Sequence, residues 1–186
     1  MSEQDYKDLK KKYDFLKKHI NWETFLKSTK CDAEIIEDAA SVIGWRAICR
    51  SQELSLSLME KHLDNLNWYW VSRAQKLTSQ FIMEQEEHLD WGCLSQYQKL
   101  TPEVLIEFEE KVDWDLVSQH QKLNHALISK FADNINWDLV SQYQKLTSET
   151  LREFSDKVNW YYVLECQKLT GSQINEFRQH LDLSSL

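Results

Sequence analysis

The hydrogen-bonding, basic and aromatic side chains of this sequence recur in columns. Gln52, Gln75, Gln98, Gln121, Gln144 and Gln167 stand 23 residues apart, and from the second of them onward each is followed by a lysine: Lys76, Lys99, Lys122, Lys145 and Lys168. Two positions before the lysine, the middle copies carry Tyr97, His120 and Tyr143. A column of amides either satisfies buried backbone groups of a neighbouring segment or lines a groove for an extended peptide or strand. Alternating basic and aromatic side chains can hold single-stranded nucleic acid by phosphate contact and base stacking. They also make a contact surface for a protein, and a lysine stem covers apolar surface beneath it. The edge formed by Lys76, Tyr97, Lys99, His120, Lys122, Tyr143, Lys145 and Lys168 is therefore the expected partner-binding surface. A protein is the expected partner, with single-stranded nucleic acid as the alternative.

Acidic residues form columns too. Glu84, Glu107, Glu153 and Glu176 share one offset and Glu87, Glu110, Asp133 and Asp156 another, so a phosphate-mimicking inhibitor of a nucleic-acid-binding enzyme is a further alternative. Signals of catalysis are near absent. The sequence holds no G-x-x-x-x-G-K-[ST], no G-x-G-x-x-G and no H-E-x-x-H, and its three glycines, Gly44, Gly92 and Gly171, form no phosphate-cradling loop. Cys31, Cys49, Cys93 and Cys166 fall at four different offsets and pair with no histidine at a zinc spacing. The chain reads as a non-enzyme without metal or cofactor.

What positions these columns is a repeat. Trp22, Trp45, Trp68, Trp91, Trp114, Trp137 and Trp160 are spaced by 23 residues, and each opens a unit of two short helices. Asn or Asp precedes the Trp in six units (Asn21, Asn67, Asp90, Asp113, Asn136, Asn159) as a helix N-cap, and Gly44 is the weaker exception. From Trp137, the residues Val140, Ser141 and Gln144 fall on one helical face, predicted to point inward. Thr78, Thr101, Thr147 and Thr170 then cap a second helix, with Pro102 at a first helical position. Leu151, Phe154 and Val158 recur at helical spacing as Ile128, Phe131 and Ile135. Helices this short barely form alone, so neighbouring units must hold them. Trp68, Trp91, Trp114, Trp137 and Trp160 are expected as buried core, and Gln75, Gln98, Gln121, Gln144 and Gln167 as a polar ladder beside them.

The pattern W-x-x-[LIV]-S-x-x-Q-K-L-[ST], followed by an apolar helix ending in F-x-x-K-V-[ND], resembles tandem repeats in proteins of giant DNA viruses and some phages. The match is close over residues 68–170. Copy seven departs with Leu164 in the Ser slot and copy two with Glu53 in the Lys slot. The resemblance implies a helical-repeat build and a viral or phage origin, and no particular reaction.

Composition fits this reading. Of 186 residues, 42% are apolar and 28% charged, with one proline and three glycines, which describes a folded, helix-rich chain. The net charge is −8; after residue 21 it is −10, from 16 basic and 26 acidic residues, which disfavours a general polyanion binder. No run reaches the roughly 18 apolar residues of a membrane helix, and the lysine-rich start lacks the apolar core of a signal peptide, so an intracellular protein with no membrane partner is expected. The fold expected is an all-α solenoid of seven two-helix repeats over residues 22–182. A capping helix over residues 1–21 precedes it and a tail of residues 183–186 follows.

Overall fold

The computed structural model describes residues 15 and 17–181. Among them are fourteen α-helices and one 3-10 turn, and no strand. The chain divides into two compact units, Met1–Asp90 and Trp91–Leu186, at the start of the fourth repeat. The first unit contains α1 (Trp22–Ser28), α2 (Ala33–Ile43), α3 (Trp45–Ser51), α4 (Leu56–Lys61), the 3-10 turn Leu63–Asn65, α5 (Trp68–Ala74) and α6 (Ser79–Glu84). The second contains α7 (Trp91–Tyr97), α8 (Pro102–Glu107), α9 (Trp114–His120), α10 (His125–Lys130), α11 (Trp137–Tyr143), α12 (Ser148–Glu153), α13 (Trp160–Cys166) and α14 (Gly171–Glu176). Each unit is an all-α solenoid, its helices packing on their neighbours in sequence order: α1 on α3 and α3 on α5 in one, α7 through α13 in the other. The helix read over residues 1–21 lies mostly outside the described residues. Of it, residues 15 and 17–19 are helical, and Lys17 pairs with Asp38. The tail of residues 183–186 lies outside them altogether.

Caps set the helix starts. The side chains of Asn67, Asp113 and Asn136 accept from backbone N–H groups two or three residues on, and those of Thr78, Thr147 and Thr170 do the same for the second helices. Gly44 has no side chain to offer. Its φ of +80° lets the eleven-residue α2 pass into α3 through a single residue, a conformation that L side chains rarely adopt.

The second helices are shorter than the apolar spacing suggests. After the first repeat each has six residues, and Phe154 is already the C-cap of α12, at φ −116° and ψ 32°. The spacing from Phe154 to Val158 survives because a separate turn follows, in which the Val158 N–H donates to the Phe154 carbonyl at 3.0 Å. Val117, Val140 and Val163 from the first helices and Ile128, Leu151 and Phe131 from the second-helix segments are almost wholly removed from water. At roughly 1.5 to 3 kcal/mol for each large apolar side chain, this burial supplies what such short helices lack in isolation.

The tryptophans depart from the expected buried row. Trp22 is buried, but Trp68, Trp91, Trp114, Trp137 and Trp160 are half-buried. Trp114, Trp137 and Trp160 each open their helix at the seam between two repeats instead of beneath it. The rings of Trp91, Trp114, Trp137 and Trp160 lie 4.5 to 5.3 Å from those of Phe108, Phe131, Phe154 and Phe177 in the same repeat. The indole N–H groups of Trp114, Trp137 and Trp160 donate at 2.9 Å to the carbonyls of Glu109, Ala132 and Ser155, in the turn that closes the preceding repeat. The rings of Trp114, Trp137 and Trp160 thus pack on their own repeat and tether the one before it.

Candidate functional site

Tyr97, His120 and Tyr143 are the last residues of α7, α9 and α11. The next residue breaks the helix: Gln121 and Gln144 are C-caps with extended backbone, at φ −85° and ψ 157°, and φ −93° and ψ 145°. Side chains alternate along an extended segment. Gln121 and Gln144 therefore turn inward, Lys122 and Lys145 outward, and Leu123 and Leu146 inward again.

The inward amides bind the preceding repeat. Gln144 Nε2 donates to the Ser118 and Gln121 carbonyls at 2.8 and 2.7 Å, and its Oε1 accepts from the Leu123 N–H at 3.0 Å. Gln121 makes the same three bonds to Ser95, Gln98 and Leu100, and Gln75 to Cys49, Gln52 and Leu54. Gln167 donates to the Ser141 carbonyl and accepts from the Leu146 N–H. Gln98 supplies its carbonyl to Gln121. With donors and acceptor spent on backbone, the column is a structural ladder and offers no row of amides to a ligand.

A second ladder escaped the sequence reading. Ser95, Ser118 and Ser141 are fully buried, and their hydroxyls accept from the N–H groups of Asp113, Asn136 and Asn159 at 2.9 to 3.0 Å. The serine in the repeat pattern was its signal. Cys49 holds the corresponding place in the second repeat, where burial pushes its thiol above the ordinary value against a smaller opposing effect of the Asn67 N–H.

The outward edge of the second unit is exposed. Tyr97 and Tyr143 are 43% and 50% exposed, and His120, Lys99, Lys122, Lys145 and Lys168 are exposed as well. Among the described residues, none of these four lysines pairs with a carboxylate. Tyr143, Lys145 and Lys168 come together around one groove of 540 Å³, which also takes in Gln173 and the exposed Cys166. Cys166 occupies the Tyr/His offset of its own repeat, so its place on this edge was readable from the period. Lys76 differs. It lies in the first unit and pairs with Glu53 at 2.7 Å, the residue that replaces lysine in the second repeat.

The acidic columns are partly neutralised across repeats. Lys157 binds Asp133 at 2.8 Å, Arg152 binds Glu176, and His125 lies 3.2 Å from Glu153. In the first unit, His62 and Lys61 both reach Glu37. The partners hold three carboxyls below the ordinary range: His62 foremost for Glu37, Lys76 for Glu53 and Lys157 for Asp133. A carboxyl whose pKa is depressed by folding stabilises fully above its unfolded value, and the contribution is lost as pH falls through the folded one. Thermal midpoints should therefore fall on acidification below the ordinary carboxylate range. Lys157→Met should make that decline shallower, and an unchanged slope would show that the Asp133 pair contributes nothing.

Among the described residues, no three His, Cys, Asp or Glu side chains converge as metal ligands would, and no helix is long and apolar enough to cross a membrane. Set against models of protein families, curated proteins and solved structures, the chain matches none.

Proposed function

We propose that this chain is a non-enzymatic helical-repeat scaffold that binds a protein partner through the edge bearing Tyr97, Lys99, His120, Lys122, Tyr143, Lys145 and Lys168. One observation carries the reading. Lys99, Lys122, Lys145 and Lys168 are exposed and in no ion pair among the described residues, whereas the neighbouring Gln and Leu side chains are held in the repeat interior or against the preceding repeat. The stacked frame presents these cations without using them. Tyrosine contributes large contact area at small entropic cost, and lysines at the rim steer and orient a partner. The resemblance to viral and phage repeats makes a host factor the expected partner. Mimicry of phosphates draws less support, because Asp133 and Glu176 already have cationic partners.

A second reading, single-stranded nucleic-acid binding, is favoured by those same unpaired lysines beside Tyr97 and Tyr143. Affinity capture from lysate, with and without nuclease and at low and moderate salt, separates the two. A stoichiometric protein that survives nuclease and is lost from the Tyr97→Ala/His120→Ala/Tyr143→Ala variant is the expected result. Nucleic acid recovered instead, released as salt rises and reduced in Lys99→Ala/Lys122→Ala/Lys145→Ala, would overturn the protein-scaffold reading.

A further inference from the structure

Trp70 is the one tryptophan outside the 23-residue register. The guanidinium of Arg50, from the preceding repeat, lies over its ring 5.2 Å from the centroid, and that of Arg73 lies at 5.9 Å. Tyr69, 46% exposed, meets the same ring edge-on at 5.2 Å. Arg46 stands one turn before Arg50 on α3, and both are exposed. Like charges four residues apart on a helix repel, so the fold gains nothing from that pair. Neither arginine is in an ion pair among the described residues, although Glu23 lines the same groove as Arg50.

We propose that Arg46, Arg50, Tyr69 and Trp70 anchor an acidic peptide segment of a protein partner, its carboxylates taken by the two guanidiniums. A guanidinium resting on an indole is held in plane with its N–H edge still available, which is the geometry that bidentate carboxylate recognition needs. Tryptophan, tyrosine and arginine are also the residues that dominate binding energy at protein interfaces. Beside Arg50, a groove of 360 Å³ between α1 and α3 is walled by Leu26, Ile43 and Ala47, and it suits an apolar side chain of the same peptide. A nucleic-acid strand fits less well, because the Trp70 ring already carries two cations where a base would stack. This surface lies in the first unit and does not depend on the lysine edge of the second.

The test is fluorescence anisotropy of a labelled Asp/Glu-rich peptide containing one leucine, titrated with the full chain. An uncharged Gln/Ser peptide and an oligothymidylate of equal length serve as comparators. The acidic peptide should bind in preference to both. Arg46→Ala/Arg50→Ala should weaken it by about tenfold or more. Arg50→Lys, which keeps the charge but loses the fork, should also weaken it, and Lys122→Ala/Lys145→Ala should bind like the parent. Circular dichroism checks that each variant is folded. Absence of binding, parent-like affinity in the double arginine variant, dependence on the lysine edge, or tighter binding of the oligothymidylate through these arginines would each overturn the assignment.

Discussion

Replacing Gln144 by methionine, which keeps the side chain's length, should destabilise the protein by about 3 to 5 kcal/mol in urea unfolding followed by far-ultraviolet circular dichroism. The substitution strands the Leu123 N–H and the Ser118 and Gln121 carbonyls, all in buried hydrogen bonds. An unsatisfied buried polar group costs about 1 to 3 kcal/mol, and three are lost together. Gln144→Glu adds a test of sign. Its carboxylate keeps an acceptor for Leu123 but sets a negative charge against two carbonyl oxygens, so folding raises its pKa. A group with a raised folded pKa stabilises below its unfolded value and loses that contribution as pH rises through the folded one. The glutamate variant should therefore be least impaired, relative to the parent, at acid pH. A methionine variant within about 1 kcal/mol of the parent, or a glutamate variant whose deficit does not change with pH, would show that the ladder is not what joins the repeats.

Trp114→Ala should cost about 3 kcal/mol, the low end of the range for deleting a large aromatic, because the ring is half-buried. Two separable contacts are removed: the Phe131 ring 4.5 Å away and the indole hydrogen bond to the Glu109 carbonyl. Trp114→Phe keeps one aromatic ring but loses the hydrogen bond and the second ring of the indole, so its cost should be about 1 to 2 kcal/mol. The difference between the two variants measures what the retained six-membered ring contributes. Equal losses would show that this ring contributes nothing.

The information legible along the chain is local and periodic. The 23-residue interval of Trp, Gln, Lys and Leu predicts a stack of equal units, and each helix start is legible because its cap and its orphan N–H groups lie within three residues of one another, as at Asn136 and Thr147. The outward lysines are legible in the same way. Gln144 ends the helix, and alternation along the extended segment then sends Lys145 to the surface.

The contacts between repeats follow from how the repeats pack. Gln144 reaches back 26 residues to Ser118, the Ser118 hydroxyl accepts from Asn136 eighteen residues on, and Lys157 meets Asp133 across 24. A period announces that these residues recur, but not which atoms face one another, because that depends on how one helix pair seats on the next. The same seating leaves Trp114 at a seam and not in the core, and brings Arg50 of one repeat over Trp70 of the next. Local preferences act over a few residues along the chain, and stacking joins atoms that only the packed repeats bring within hydrogen-bond reach.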